Sequence, residues 1–371
     1  MRHFAFIGLL AGMLFTLTSC FWPIPGSSLK AGSSSHRYRQ ASAGVQTGEG
    51  SFARDEIGRI GARGEGMLLV DWNADGKKGI LVFHGEASRS GIKAALIDHE
   101  LKLTELFPIT DGSMRAPSAA DMDGDGLPEL CCGGDWGDDA SVYSHTGTKM
   151  FTFAPSKHGT DEAVLADLNK DKHAVLIVGF NGGGGLRAAD SAGTEIFRDN
   201  RDLGNVWNVE AGDINGDGKL EVLNTDAGGD ITVWTSDLKY LKTLTPPDYT
   251  AGFAVVDHDG DGKDEILLES GSMIDGEGKE VYRGYMEDGM PFPSLAVTAD
   301  VSSSDGLETA WAQDSYNDFK IFAQKGDMLY HEGMKEPIRG LISTAGLEGW
   351  KPGFLVLLED GTLIHFGRKG K

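Results

Sequence analysis

The chain is poor in basic residues and in cysteine. Its 371 residues include 34 Lys and Arg against 56 Asp and Glu, which gives a formal net charge of −22. Such an acidic surface repels nucleic-acid phosphates, and no basic patch with interleaved aromatic residues occurs, so nucleic acid is excluded as a partner. Three cysteines are too few for a disulfide framework.

Helical periodicity and the common catalytic motifs are also missing. No zinc-binding HExxH helix, no GxSxG nucleophile turn and no Walker loop occurs in the sequence. The glycine-rich segment "NGGGG", residues 181–185, follows a strand-like run and opens no helix. We therefore predict a turn at this segment and not a phosphate-binding loop.

One long apolar run occurs, at the N-terminus. Arg2 precedes an apolar stretch over residues 4–17, which is too short to span a membrane comfortably and is typical of a secretory signal. The following "LTSC" resembles the lipobox of bacterial lipoproteins, and this resemblance implies cleavage before Cys20 and a lipid on its thiol. An ordinary signal peptide with an incidental cysteine is the alternative. Because Phe21 and not an aspartate follows, the resemblance favours the outer membrane or the cell surface.

These features divide the chain into three parts. Residues 1–19 are the predicted signal peptide. Residues 20–50 are the lipidated cysteine and a tether rich in Ser, Gly, Ala and Gln, which we expect to be disordered. Within the remainder, Cys131 and Cys132 are adjacent, so on a strand they face opposite sides. We predict two buried thiols, with a vicinal disulfide as the alternative.

Residues 51–371 contain a repeat of about 45 residues. Acidic segments begin at Asp71, Asp121, Asp167, Asp213 and Asp257, a worn copy begins at Asp300, and a seventh unit near Leu341 lacks the acids. Each unit has a short apolar run, the acidic segment and further β-rich runs separated by turns. Four antiparallel strands per unit predict an all-β, seven-bladed β-propeller, with six or eight blades as alternatives. Residues 51–62 are predicted to supply the fourth strand of the last blade.

The acidic segments have the donor spacing of a calcium loop. With Asp257 as position 1, further carboxylates fall at positions 3, 5 and 9, Gly262 at position 6 allows a tight turn, and the Lys263 carbonyl is at position 7. Hard oxygen ligands at this spacing suit calcium. An EF-hand is excluded, because Leu268 is at position 12 where that motif needs glutamate, and strands rather than helices flank the loop.

The repeats resemble the FG-GAP or VCBS-type repeats of integrin-α-like propellers, whose calcium loops join the first two strands of a blade. The resemblance implies three complete sets of structural calcium ligands: Asp121, Asp123, Asp125 and Glu129; Asp213, Asn215, Asp217 and Glu221; Asp257, Asp259, Asp261 and Glu265. Two sets lack the acid at position 9 and are expected to bind weakly or not at all: Asp71, Asn73 and Asp75; Asp167, Asn169 and Asp171. The segment at Asp300 has serines and one extra residue, so we expect no metal there. His173 and His258 are predicted to be solvent-facing spacers.

Three segments on the other face of a propeller are richer than turns require: residues 133–139, 154–162 and 199–207. The tryptophan in the first of them, with its acidic neighbours, resembles a sugar-stacking platform. The candidate ligand-binding residues are Asp135, Trp136, Asp138, Asp139, His158, Arg201 and Trp207. In the alternative, Trp207 packs between blades and the acids are merely solvated.

The sequence supports three hypotheses for function. The first is a lipid-anchored binding or adhesion scaffold of the cell envelope, monomeric and non-catalytic, whose ligand is a glycan or an envelope protein. The second is a calcium-dependent carbohydrate-active enzyme, a polysaccharide lyase or hydrolase that would use His158 and Arg201. The third is an assembly partner for another envelope protein. No residue is assigned a catalytic role from the sequence alone.

Overall fold

The structure is a computed structural model, and it describes residues 45–46, 52–86, 91–110, 117–133, 139–199, 201, 204–283, 294–301, 306–313 and 317–368. The predicted signal peptide and the lipidation site Cys20 lie outside these residues, as do Asp135, Trp136 and Asp138. None of the described residues belongs to a helix that is long and apolar enough to cross a membrane.

The described residues form strands in seven antiparallel sheets, and no helix occurs among them. We number the sheets as blades 1 to 7 in chain order. Blade 1 comprises β3 (Arg63–Val70), β4 (Gly79–Gly85), β5 (Lys93–Ile97) and β6 (Leu103–Pro108). Blade 2 comprises β7 (Ser118–Ala120), β8 (Glu129–Cys132), β9 (Ala140–Tyr143) and β10 (Lys149–Phe153). Blade 3 comprises β11 (Thr160–Ala166), β12 (Val175–Phe180), β13 (Gly185–Ala189) and β14 (Glu195–Arg198).

The remaining blades repeat the same order. Blade 4 comprises β15 (Val209–Gly212), β16 (Glu221–Thr225), β17 (Ile231–Trp234) and β18 (Tyr240–Leu244). Blade 5 comprises β19 (Phe253–Val256), β20 (Glu265–Leu268), β21 (Met273–Ile274) and β22 (Glu280–Tyr282). Blade 6 comprises β23 (Ser294–Ala299), β24 (Glu308–Gln313), β25 (Asp318–Phe322) and β26 (Met328–Gly333), with the short β1 (Val45–Gln46) at its edge. Blade 7 comprises β27 (Ile338–Ser343), β28 (Gly353–Leu358), β29 (Thr362–Arg368) and β2 (Phe52–Arg59).

The middle strands of each blade are apolar on both faces because each blade lies between two others. In blade 4, every residue of β16 and β17 is buried, whereas the outer strand β18 is largely exposed. Seven hydrophobic clusters fill the spaces between successive blades, and the cluster between blades 7 and 1, which contains Leu357 and Val82, closes the ring. The predicted seven-bladed, all-β propeller is therefore confirmed, and the alternatives of six or eight blades are wrong.

The N-terminal strand completes the last blade. β2 pairs with β29 along its whole length, from Phe52 opposite Arg368 to Arg59 opposite Thr362. The outer edge of β29 is thereby covered by the chain itself, as the sequence predicts. A second N-terminal pairing lies within the segment predicted to be a tether, where Val45 is opposite His331 and Gln46 opposite Tyr330.

The two adjacent cysteines face different neighbours. Cys131 lies in the cluster between blades 2 and 3, and Cys132 in the cluster between blades 1 and 2. Both are buried thiols, and no disulfide joins them. Burial raises the pKa of the Cys131 thiol to about 12, against the opposing effect of a hydrogen bond to Ser118. The prediction of two buried thiols is confirmed.

Each outer strand carries one extra residue relative to its partner, a β-bulge. In blade 3, for example, Ala188 is opposite Phe197 and Ala189 opposite Glu195, so the residue between them has no partner on β13. The bulged residue is apolar in all seven blades: Leu106, Met150, Ile196, Leu241, Val281, Leu329 and Ile57. This feature repeats as regularly as the acidic segments.

Candidate metal centre

The acidic loops join the first and second strands of blades 1 to 6, so the ring places them on one face. We number them loops 1 to 6; they span residues 71–78, 121–128, 167–174, 213–220, 257–264 and 300–307. All six contain eight residues. Ala299 pairs with Glu308 in blade 6 just as Val256 pairs with Glu265 in blade 5, so the expectation of an extra residue in loop 6 is wrong.

The carboxylate at position 1 organises the turn in loops 1 to 5. In loop 5, one oxygen of Asp257 accepts a hydrogen bond from the Gly260 N–H at 2.8 Å, and the other accepts one from the Gly262 N–H at 3.2 Å. Gly262 has a φ of 86°, a conformation that glycine adopts without strain. Loop 3 has Lys172 at this position with a φ of 67°, so it forms the same turn with a less suitable residue.

The glutamate at position 9 ties the second strand to the start of its loop. Glu265 accepts a hydrogen bond from the His258 N–H at 2.9 Å, and Glu129 accepts one from the Met122 N–H at 2.8 Å. Blade 6 has the same contact, because Glu308 accepts one from Val301 at 2.8 Å. We did not identify Glu308 from the sequence, although it lies eight residues after Asp300, as Glu265 does after Asp257.

Two loops bring three carboxylates together. Single oxygen atoms of Asp121, Asp123 and Glu129 lie within 4.8 Å of one another, and so do oxygen atoms of Asp257, Asp259 and Glu265. Calcium binds oxygen at about 2.3–2.6 Å, so ligands on opposite sides of one ion are up to about 5 Å apart. The donor atoms and their spacing in these two loops therefore fit calcium.

The other loops are less complete. In loop 4, the Asn215 amide donates a hydrogen bond to Glu221 at 2.7 Å and contacts Asp217 at 3.4 Å, so the side chains still converge although one of them is neutral. Loops 1 and 3 offer two carboxylates each, from Asp71 and Asp75 and from Asp167 and Asp171, beside Asn73 and Asn169. Position 9 in these loops is Gly79 or Val175, neither of which supplies an oxygen ligand from its side chain.

The crowded carboxylates have altered acidity. Burial, reinforced by the charges of Asp217 and Asp213, raises the pKa of Glu221 to about 7. Burial likewise raises the pKa of Glu265 to about 7, with the neighbouring acids of loop 5 adding to it and the hydrogen bond from His258 opposing it. The pKa of Glu129 is also raised, chiefly by burial. A bound cation would lower the pKa of these glutamates, because it stabilises their ionised form.

Neighbouring loops are hydrogen-bonded to one another. The Ala174 N–H of loop 3 donates to the Asp121 carbonyl of loop 2 at 2.8 Å, and the Asp264 N–H of loop 5 donates to the Asp213 carbonyl of loop 4 at 2.9 Å. The Asp264 carboxylate also accepts from the Asp213 N–H at 2.7 Å. These hydrogen bonds link loop 2 to loop 3 and loop 4 to loop 5.

The two loop histidines differ. His173 is exposed, as predicted. His258 is 1% exposed, and its ring nitrogens lie 2.6 Å from the Thr309 hydroxyl and 2.7 Å from the Gln324 carbonyl. The prediction of a solvent-facing spacer at His258 is wrong, because this side chain links blade 5 to blade 6. Burial lowers its pKa.

The described candidates for ligand binding differ in exposure and in their contacts. Asp139 is exposed just before β9. His158 is half-buried beside the turn that contains Gly182. Arg201 binds Asp199 through two nitrogens at about 3.1 Å.

Arg201 and Trp207 have different aromatic neighbours. The guanidinium of Arg201 lies 4.5 Å from the Trp234 ring centre and 5.0 Å from that of Tyr240. Trp207 packs edge-to-face against Tyr249, in the linker from blade 4 to blade 5, with ring centres 6.4 Å apart. Gly204, which lies between Arg201 and Trp207 in the sequence, accepts a hydrogen bond at its carbonyl from the Gly183 N–H at 3.2 Å.

Comparison with known proteins agrees with the fold. Residues 213–268 match the model of the family described as FG-GAP-like repeat, and this range runs from the first residue of loop 4 to the last residue of β20. No curated protein matches the sequence. The crystal structure of BBS1N in complex with ARL6DN, soaked with mercury, is similar at a TM-score of 0.57 and 12% identity, over 85% of this chain and 95% of that one.

Weaker similarities are found to two bacterial proteins. BamB from Moraxella catarrhalis has a TM-score of 0.48 at 11% identity, over 89% of this chain and 99% of that one. The V. cholerae biofilm matrix protein Bap1 has a TM-score of 0.41 at 16% identity, over 84% of this chain and 68% of that one. Together, the strand order, the loops and the family match identify the chain as a seven-bladed β-propeller protein with an FG-GAP-like repeat at residues 213–268.

Proposed function

We propose that the protein is a non-catalytic interaction scaffold whose ring is stabilised by calcium. The observation that carries this proposal is the pair of three-carboxylate clusters in loops 2 and 5, with oxygen atoms within 4.8 Å of one another. Asp121, Asp123 and Glu129 would hold one ion and Asp257, Asp259 and Glu265 another. Bound calcium would offset the repulsion of these carboxylates and fasten the first strand of a blade to the second.

The position of the loops favours a structural role for the metal. The carboxylates at position 1 are held by backbone N–H groups of their own loops, and the glutamates at position 9 are buried. Hydrogen bonds from loop to loop would extend the effect of one ion to two blades. Asp125 and Asp261 would add ligands at position 5, and Asp213, Asn215, Asp217 and Glu221 would form a third site. Loops 1 and 3 would bind more weakly.

The ring itself would present the interaction surface. A propeller of similar fold is crystallised in complex with a second protein, ARL6DN, which supports protein binding as one use of this architecture. We place the ligand, a glycan or an envelope protein, on the face opposite the calcium loops. Asp139, His158, Arg201 and Trp207 would contribute to it together with Asp135, Trp136 and Asp138.

The proposed location is the cell envelope, with the propeller held by lipid on Cys20. Support comes from the lipobox-like "LTSC" at residues 17–20. Mass spectrometry of the N-terminal peptide tests the anchor: a diacylglyceryl group on Cys20 is expected, and a mature chain that starts elsewhere or carries an unmodified cysteine would contradict it.

Binding to an array of bacterial and host glycans, in calcium and then in EDTA, tests the scaffold function. We expect binding to one glycan class that weakens in EDTA and is reduced by Trp136→Ala. Asp139→Ala is a suitable comparison, because this residue lies in the same segment but offers no ring for stacking. If no glycan binds while the fold is intact, the ligand is expected to be a protein. Turnover of a bound polysaccharide would contradict the non-catalytic assignment.

A further inference from the structure

Blade 1 contains a cleft beside loop 1. Its volume is about 230 Å³, and it lies between the loop and the third strand and outer hairpin of the blade. Pockets for drug-sized ligands are about 300–1,000 Å³, so this cleft suits a smaller molecule. It is on the calcium-loop face, away from the candidate ligand residues described above.

The cleft is found where blade 1 lacks the side chain at position 9. Blades 2, 4, 5 and 6 have glutamate there and blade 3 has Val175, but blade 1 has Gly79. Gly79 lines the cleft, and so does Leu96 of the third strand. A Cβ added to Gly79 would lie 3.6 Å from the Leu96 Cδ2 atom, so the missing side chain would point into this space without a clash.

The absent glutamate also leaves a backbone donor without its usual acceptor. In blades 2, 5 and 6, the carboxylate at position 9 accepts the N–H of the residue at position 2. The corresponding residue in loop 1 is Trp72, which also lines the cleft. Within the part of the chain that the structure describes, no hydrogen bond to the Trp72 N–H is found. Buried polar groups of this kind gain from an acceptor.

Basic side chains surround the same space. Lys77, Lys78 and Lys102 line the cleft, in a protein whose net charge is −22. Lys77 is paired with Glu348 at 3.0 Å, whereas Lys78 and Lys102 form no ion pair within the described ranges. Charged hydrogen bonds to a carboxylate are among the stronger polar contacts that a small ligand can make.

Two acids also line the cleft, but both are engaged by their own turns. Asp98 accepts hydrogen bonds from the Glu100 and Lys102 N–H groups at 2.9 Å each. Asp75 accepts one from the Lys77 N–H at 2.9 Å. These contacts hold the acids to the loop backbone and reduce their repulsion of an anion.

We propose that this cleft binds the carboxylate group of a small acidic ligand of sugar size, which takes the place of the missing glutamate. The ligand carboxylate accepts from the Trp72 N–H and is attracted by Lys78 and Lys102. Leu96 and Ile80 provide an apolar wall for the rest of the molecule. This site is distinct from the proposed interaction face. Asn73 and Asp75, which line the cleft, also belong to the weak metal set of loop 1, so binding is measured in EDTA, where the proposal stands or falls separately from the scaffold function.

Titration of the purified protein with glucuronate, followed by ligand-observed NMR in EDTA, tests the proposal. For a ligand of this size, the expected Kd is on the order of 1 mM. Glucose, which lacks the carboxylate, is expected to bind at least about tenfold more weakly, because it cannot make the charged contacts. Equal binding of the two sugars would overturn the proposal, and so would tighter binding of inorganic phosphate or binding that requires calcium.

Variants locate the site. Gly79→Glu is expected to abolish glucuronate binding by filling the cleft, whereas Val175→Glu, which adds the same side chain at position 9 of blade 3, should leave it unchanged. Lys78→Ala and Lys102→Ala are each expected to weaken binding about threefold, and Lys219→Ala, an exposed lysine at position 7 of loop 4, should not. The lysine variants decide the matter if Gly79→Glu does not fold. Binding that survives both the Gly79 and the double lysine change would contradict the assignment.

Discussion

Phe52→Ala is expected to lower the free energy of unfolding by about 3–5 kcal/mol, as removal of a buried phenylalanine usually does. Phe52 is 2% exposed and packs edge-to-face on Tyr330, with ring centres 6.3 Å apart. It belongs to the cluster that joins blades 6 and 7. The strand that carries it is also the outer strand of blade 7, so the substitution weakens the contact that closes the ring. Urea unfolding followed by circular dichroism measures the effect.

Ile57→Ala is the matched control, because it lies on the same strand. Ile57 is the bulged residue of β2 and is 37% exposed, so its truncation should change the stability by less than about 1 kcal/mol. Both variants keep the backbone pairing with β29. If the two variants lost equal stability, the specific role of the Phe52 contact would be refuted; if neither lost any, β2 would not contribute to closure. Exposure of the β29 edge on unfolding of β2 would also favour aggregation.

The number of blades could be predicted because the same acidic turn between two strands recurs along the sequence. The acidic segments recur at intervals of 43 to 50 residues, and each marks the turn between a first and a second strand. The short final unit then requires a strand from elsewhere, and residues 51–62 were the available candidate. Local turn chemistry and spacing were sufficient here because neighbouring blades pack in the same way around the ring.

Contacts between blades could not be predicted in the same way. His258 occupies a position in loop 5 that would be exposed in an isolated hairpin, but the next blade covers it and supplies Thr309 as a partner. Glu308 was overlooked because the glycine of loop 6 is one position later, at Gly306, which obscured the alignment. The strand pairing shows that Glu308 is equivalent to Glu265, because the register is set by the β23–β24 ladder and not by the glycine.

The face opposite the acidic loops was the least predictable part. Its segments are linkers whose neighbours depend on how blades pack, and composition does not reveal them. The contacts of Arg201 with Asp199 and the Trp234 ring, for example, could not be predicted from the sequence. The missing acid at position 9 of loop 1 is evident in the sequence, but only the structure shows the cleft beside Gly79 and the contacts that the equivalent glutamates make in other blades.

Calcium and protons are expected to compete for the carboxylates of the acidic loops. The melting temperature should therefore depend strongly on both calcium and pH. In EDTA, the melting temperature should fall as the pH rises from about 5 to 8. The pKa values of Glu221 and Glu265 are raised from an ordinary 4.5 to about 7 in the folded protein. Between these values the folded state binds more protons than the unfolded state, so stability is lost as the pH rises through 7.

Calcium should reverse this trend, because it binds the ionised carboxylates. At a concentration 100-fold above its Kd, each occupied site contributes about 2.7 kcal/mol. Two sites would raise the melting temperature at pH 8 by roughly 5 °C or more, with a smaller gain at pH 5, where protons occupy the glutamates. Differential scanning calorimetry at both pH values, with calcium or EDTA, measures all four conditions. Identical melting temperatures in calcium and EDTA at pH 8 would exclude structural calcium.

Glu265→Gln distinguishes the role of Glu265 as a metal ligand from its role as a hydrogen-bond acceptor in the turn. Glutamine can still accept the His258 N–H but carries no charge, so in EDTA this variant should be more stable than the wild type at pH 8 and should show a smaller loss between pH 5 and 8. In calcium it should gain less than the wild type, because one ligand has lost its charge. Glu100→Gln, on an exposed hairpin of blade 1, should behave as the wild type under every condition. If Glu265→Gln lowered stability equally at all pH values, with calcium or without it, the glutamate would serve the turn alone.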